Sequence, residues 1–301
     1  MQIEPSVEEF AVRYAAGFRQ VIWTTLVADL ETPVSVFLKV SGAENKSLRS
    51  MCFLLESVEG GTVRGRYSII GLDPDLVFRV CGSRAEINRN PQGDPLAYSP
   101  IAGSPLVALR ALLGESRIAL PDKLPPMAAG IYGYLGYDMV RLVEDSLSGP
   151  AADPIGIPDA ILMRPSLVIA FDAVEDTIAI VAPVHPREAV TAKAARLHAV
   201  ERLAAVVRAL DRPLDQSEEL DAGALKAAPR SNTSALEFKR MVLRAKEYIA
   251  AGDIFQVVLS QRFAAPFTLP PFALYRALRR INPSPYLFFL DFGDFAVSGS
   301  S

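Results

Sequence analysis

The residues best placed to do chemistry in this sequence lie in one stretch, AGDIFQVVLSQRF at residues 251–263. Read as a strand, its alternation puts Phe255, Val257 and Leu259 on one face and Gln256, Val258, Ser260 and Arg262 on the other. The first set suits a core. The second offers an amide, a hydroxyl and a guanidinium side by side, groups able to bind a polar ligand. A strand with one wet face carries the same pattern, so alternation alone leaves both uses open. Elsewhere the chemistry is sparse. His185 and His198 are the only histidines, and neither has a partner at metal-ligand spacing. Cys52 and Cys81 are isolated, with no CxxC, and GxSxG, HExxH and Walker patterns are absent. Gly133 and Gly136 in GIYGYLGYD suit the packing of close elements better than a phosphate cradle.

Composition bounds what these residues could serve. The 301 residues suggest about two domains, and 50% hydrophobic against 22% charged residues permits a large core. A net charge of −3 with scattered Lys and Arg gives no basic patch for nucleic acid. The acidic start, MQIEPSVEEF, is unlike a signal peptide. No apolar run reaches the ~18 to 20 residues of a membrane span. The expectation is a cytoplasmic globular protein with reduced cysteines.

The positioning elements begin with a helix over 7–17, capped by Ser6. Strands are expected over 20–28, 34–40, 51–56, 66–72, 75–80 and 84–88. Turn chemistry such as Thr32-Pro33, Asp73-Pro74 and Gly82-Ser83 separates them. The short spacings imply antiparallel meanders. Residues 91–100 read as a loop, 106–113 as a helix, and 128–143 as strand then helix. Residues 166–172 and 177–183 form a hairpin pattern. A helix over 187–210 carries Leu197, Val200, Leu203, Val207 and Leu210 on one stripe. An acidic, proline-bearing linker over 211–231 divides residues 1–210 from residues 232–301. After it, Ser234 and Glu237 form a possible capping box. The helix they open ends at Gly252, and the 251–263 strand follows. A helix over 272–281 and a hairpin of 286–292 with 295–298 complete the pattern. A second domain of about 70 residues is marginal, so residues 232–301 read as the start of a larger one.

Four motifs taken together resemble component I of anthranilate synthase. They are LLES at 54–57, RYSIIGLDP at 66–74, AGDIFQVVLSQRF at 251–263 and INPSPYLFFLDFGDF at 281–295. The resemblance implies an α+β fold of antiparallel sheets with packed helices, arranged as a two-domain sandwich. Residues 1–210 would be the regulatory and partner-docking domain, and residues 232–301 an incomplete chorismate-binding domain. The implied reaction adds ammonia to chorismate at C2 with loss of the C4 hydroxyl, then eliminates pyruvate to give anthranilate. Ammonia would come from glutamine through an amidotransferase subunit. Mg²⁺ would bind the chorismate carboxylate, with its ligands and the catalytic histidine beyond residue 301, so the chain alone is expected to be inactive.

The resemblance also assigns residues. Gln256 stands where water-adding relatives carry a lysine, so it would line the site and exclude hydroxyl addition, since an amide cannot act as a general base. Glu56, Ser57, Arg66, Pro285, Tyr286 and Leu287 would hold tryptophan as feedback inhibitor. Its ammonium would meet Glu56 or a backbone carbonyl, its carboxylate a hydroxyl and N–H groups, and its indole an apolar wall. Two alternatives remain open, namely component I of aminodeoxychorismate synthase, or a non-catalytic tryptophan-binding and partner-docking module.

Overall fold

The structure is a computed structural model that describes residues 1–41, 51–57, 65–147, 153–214 and 228–301. In chain order the elements are α1 (Val7–Ala15), β1 (Gln20–Val27), α2 (Pro33–Val40), β2 (Cys52–Glu56), β3 (Tyr67–Cys81), β4 (Arg84–Asn88) and β5 (Ser99–Ile101). They continue with α3 (Pro105–Ser116), β6 (Tyr132–Leu135), a 3₁₀ turn (Tyr137–Leu142), β7 (Ala160–Asp172), β8 (Thr177–Val184) and α4 (Ala192–Leu210). Last come β9 (Arg230–Ser231), α5 (Ala235–Ala251), β10 (Phe263–Ala264), α6 (Pro271–Ile281), β11 (Leu287–Asp291) and β12 (Ala296–Ser300).

Two compact units result, Met1–Leu214 with Pro271–Ser301, and Asp215–Pro270. The chain therefore leaves the first unit near the expected linker but returns to it at Pro271. The expected block 232–301 is split, because β11 finds its hydrogen-bonding partner in β2 and not in its sequence neighbours upstream.

The first unit is built on a ten-stranded sheet in the order β1-β8-β7-β3-β2-β11-β12, with β4 and β5 extending from β3 and β6 paired to β7. Every pairing is antiparallel. Alternation along the strands divides the core between the two faces. One face packs Ile22, Leu54, Ile70, Ile169, Ile180, Leu287 and Phe289 under side chains of α1, α2, α4 and α6. The other packs Val21, Trp23, Phe53, Ile69, Val168 and Val181 against Leu124 and Ala128. Fully buried rings such as Phe10, Phe37 and Phe53 each contribute about 1.5–3 kcal/mol by leaving water. The fold class is thus α+β with antiparallel pairing throughout.

Three local expectations change. Residues 34–40 are helical, not extended. Thr32 accepts from the Ser35 N–H at 3.1 Å while Ser35 Oγ accepts from the Thr32 N–H at 2.8 Å, and Pro33 occupies the first turn. That reciprocal cap starts a helix where Thr-Pro reads as a turn. Asp73-Pro74 is not a turn either. Asp73 takes a left-handed φ of 49° and the register shifts between Pro74 and Leu76, so β3 bulges and continues. On α4 the expected Val200, Leu203, Val207 and Leu210 pack on the core together with Ala199 and Val206, and Leu197 alone departs, being 56% exposed.

The largest correction concerns residues 251–263. Ala251 ends α5, Gly252 caps it with φ 81°, and Phe263–Ala264 is the extended pair that follows, matched to Arg230–Ser231. Residues 254–262 form no strand, and Phe255 is fully exposed. A strand exists only through backbone pairing with a neighbour, and β9 offers two residues. No partner among the described residues of this unit holds the segment extended, and Phe255 and Val257, the expected core face, are exposed.

Candidate ligand site on adjacent strands

The antiparallel pairing of β2 with β11 joins two motifs separated by more than 200 residues. Glu56 lies opposite Leu287, and Leu55 opposite Phe288. On the other side of β2, Glu56 faces Ser68 of β3. Leu287 in turn pairs with Ser300 of β12. One row across four strands thus reads Ser68, Glu56, Leu287, Ser300. The extended run CFLLE and the run LFFLD, both largely apolar and free of glycine and proline, suit strands that are paired on both sides, as β2 and β11 are.

Glu56 projects to the face covered by α6, where its side chain is 1% exposed. Tyr275 donates its hydroxyl to Glu56 Oε2 at 2.5 Å. Arg279 donates Nε to the same oxygen at 2.9 Å and Nη2 to Oε1 at 3.1 Å, a two-pronged pair. Tyr275 and Arg279 are four residues apart, so one face of α6 presents both. Burial, and then the neighbouring Glu56 charge, raise the Tyr275 phenol far above its ordinary value. It therefore stays a hydrogen-bond donor. The ring is fixed between Phe272 and Phe289, with centroids 5.3 and 5.9 Å away.

The other expected residues divide. Ser57 follows Glu56 at the end of β2 and is half-buried. It lies against Gly65, where a Cβ would fall 1.8 Å from Ser57 Oγ. Pro285 and Tyr286 lead into β11 and are exposed, Tyr286 at 72%. The Tyr286 carbonyl accepts from the Ser301 N–H at 3.0 Å. Leu287 is buried under the helices and offers no open surface. Arg66 is turned the other way, toward β7, where it grips Asp172 through Nε at 3.0 Å and Nη2 at 2.7 Å. Burial alone would raise the Asp172 carboxyl, but the bonds from Arg66 and from the Val174 and Glu175 N–H groups hold it below its ordinary value. Gln256 belongs to the other unit and is exposed there.

Glu56, Ser57 and residues 285–287 are therefore brought together, while Arg66 and Gln256 are not part of that cluster. Sequence reasoning missed Tyr275, Arg279 and Gly65. The i, i+4 spacing of Tyr275 and Arg279 was the available signal, but nothing in it names a glutamate more than 200 residues upstream. Among the described residues, no three His, Cys, Asp or Glu side chains come together as a metal-binding group. None of the described helices is long and apolar enough to cross a membrane.

An antiparallel sheet that seats two distant motif strands side by side beneath a helix defines an α+β protein. The chain belongs to the chorismate binding enzyme family, whose profile matches residues 53–301. It is 49% identical over 98% of its length to anthranilate synthase component 1 of Cereibacter sphaeroides. It is 36% identical over 98% to that of Pseudomonas putida. In both comparisons the chain spans 58% of the relative's length. The crystal structure of anthranilate synthase component I from Streptococcus pneumoniae TIGR4 superposes with a TM-score of 0.61 at 27% identity, over 92% of this chain and 57% of that one.

Proposed function

We propose that a protein carrying this chain at the relatives' full length is the large subunit of anthranilate synthase, a lyase of tryptophan biosynthesis. It would convert chorismate and ammonia to anthranilate, pyruvate and water. A glutamine amidotransferase subunit supplies the ammonia, and the assembly works in the cytoplasm. Mg²⁺ belongs to this reading through the resemblance alone. The described residues gather no ligand set for it, and no step here runs through the ion.

The observation that supports the reading is the pairing of β2 with β11. It places LLES beside PSPYLFF, the two segments expected to share an end-product ligand, in one sheet. Tryptophan is the proposed occupant. Ser57 Oγ and the backbone N–H groups at the ends of β2 and β11 receive its carboxylate, and the exposed Tyr286 ring forms part of the indole wall. Three of the roughly four acceptor positions of Glu56 are taken by Tyr275 and Arg279. Backbone carbonyls at the strand ends are then the accessible partners for the ammonium, and Glu56 acts by holding β2 to α6. Binding that favours one arrangement of these strands would couple the site to catalysis.

A second reading, a tryptophan-binding module without catalysis, is favoured by one contrast. The β2–β11 cluster is assembled within the first unit, whereas residues 254–262 around Gln256 form no strand. Calorimetry with tryptophan on the 301-residue chain and on Ser57→Phe tests the ligand. Saturable binding that the variant loses supports the site, and equal binding by both removes it. Anthranilate fluorescence from chorismate, ammonium and Mg²⁺, assayed in the full-length protein, tests the reaction. A 4-amino product in place of anthranilate would mark aminodeoxychorismate synthase.

A further inference from the structure

An open cleft of about 890 Å³ lies in the first unit, away from the β2–β11 edge. Its walls come from the β3 bulge at Asp73–Asp75, the end of β8 and one face of α4. This volume falls within the range of small-molecule sites. Small side chains, Ala182, Pro183, Ala194, Ala195 and Ala199, make much of the lining flat and apolar. Both histidines, His185 and His198, stand on its border, so the two residues left unused by the sequence motifs converge here.

The charges around the cleft are unevenly satisfied. Arg164 closes on Asp75 with bonds of 2.7 and 3.0 Å. Arg89 does the same on Glu115 at 2.6 and 2.8 Å. Those two pairs are complete. Arg187 Nη2, by contrast, stands 3.7 Å from Asp75, and Arg202 Nη2 3.6 Å from Asp73, both beyond hydrogen-bond range. Arg202 is otherwise held by the Ser166 carbonyl at 2.8 Å and Ser166 Oγ at 2.7 Å, neutral acceptors, so Asp73 at 3.6 Å is its nearest carboxylate. Burial depresses Arg202 below its ordinary value, against the opposing pull of Asp73 and Asp75. His185 is pushed down to about 4 by burial and then by Arg164, so at neutral pH it adds no charge. Arg164 and Arg187 share Asp75, Arg202 has Asp73 and Arg89 has Glu115, so four guanidinium groups meet three carboxylates, an excess of one positive charge. Tyr14 accepts the Arg187 backbone N–H at 3.3 Å and keeps its own proton to donate.

We propose that this cleft binds a small organic monoanion with a planar apolar body. Its anionic group lies between Arg187 and Arg202, and its body rests on the alanine wall of α4. A neutral isostere loses the charge-assisted bonds, and inorganic phosphate cannot use the wall. This site is independent of the reading of the chain as part of a chorismate enzyme.

Benzoate, benzyl alcohol and inorganic phosphate are the probes, titrated calorimetrically into the 301-residue chain. Expected is one benzoate per chain, with benzyl alcohol and phosphate each weaker by about tenfold or more. Arg187 is 66% exposed, so Arg187→Met should leave the unfolding midpoint unchanged and weaken benzoate by about tenfold. Ala195→Phe fills the cleft from the wall and should abolish binding. The proposal is overturned if benzoate gives no saturable heat up to about 10 mM, a Kd weaker than about −2.7 kcal/mol of binding. It is equally overturned if neither variant alters benzoate binding, if benzyl alcohol binds as well as benzoate, or if phosphate binds more tightly.

Discussion

Replacing Arg279 by methionine isolates the contact that ties α6 to the sheet. The change leaves Glu56, 1% exposed, with Tyr275 as its one remaining side-chain partner among the described residues. Removing one member of a buried ion pair costs about 3–5 kcal/mol, because the other charge stays uncompensated in a dry site. Arg279 itself is 32% exposed, so solvent can reach part of the gap and the lower end, about 3 kcal/mol, is expected. Glu56→Gln should cost less, about 1–2 kcal/mol, since the guanidinium it strands can turn to water and the amide still accepts from Tyr275. The triple variant Glu56→Leu, Tyr275→Phe, Arg279→Met removes every polar partner together and should recover most of the loss. Trp23, the one tryptophan, is buried in the same unit, so its fluorescence during urea unfolding reports this unit. The ordering Arg279→Met, then Glu56→Gln, then the triple variant is the test. A loss under about 0.5 kcal/mol for Arg279→Met, the scale of an exposed pair, would show that the bridge is not desolvated. A triple variant as unstable as Arg279→Met would show that packing, and not the orphaned charge, sets the cost.

Three further outcomes can be measured. Gly65→Ala places a methyl 1.8 Å from Ser57 Oγ, so Ser57 must move, and tryptophan affinity in calorimetry should fall by about tenfold with a small drop in unfolding midpoint. His185, held near 4 by burial and Arg164, and with Asp75, Arg19 and Glu115 also facing it, binds fewer protons folded than unfolded between pH 4 and its ordinary pKa of about 6.5. Stability should therefore decline as pH falls through that window, by roughly 2–3 kcal/mol in total, and His185→Gln should flatten that part of the urea-midpoint profile. Gln256→Lys in the full-length protein should allow some hydroxyl addition to chorismate, seen chromatographically. Unchanged anthranilate output with no hydroxylated product would remove Gln256 from the chemistry.

Much of the fold was legible locally, and its failures share a cause. Ser6 and Ser234 each cap the helix that follows by accepting an N–H three residues on, and side-chain chemistry at that range is readable from sequence; the Thr191 cap, which starts α4 at Ala192 and not at 187, was not read. Thr32-Pro33 misled because a turn and a helix start use the same residues, and the deciding bond involves Ser35. Asp73-Pro74 misled because a bulge inside a long strand resembles a turn until the partner, β7, is known. The alternation of residues 251–263 misled, because a pattern does not supply hydrogen-bond partners: residues 254–262 form no strand, and Phe255 and Val257, expected in the core, are exposed.

The amino-acid sequence by itself determined which segments are apolar every second or every fourth residue, that pairing is antiparallel, and which motifs carry the family resemblance. Those properties depend on neighbours within a few positions. Only the tertiary structure decided that β11 lies beside β2, that Pro271–Ser301 packs with the first unit, and that Glu56 is committed to Tyr275 and Arg279. These depend on which distant groups share one low-dielectric space. A buried carboxylate must find its partners there, whatever their distance along the chain.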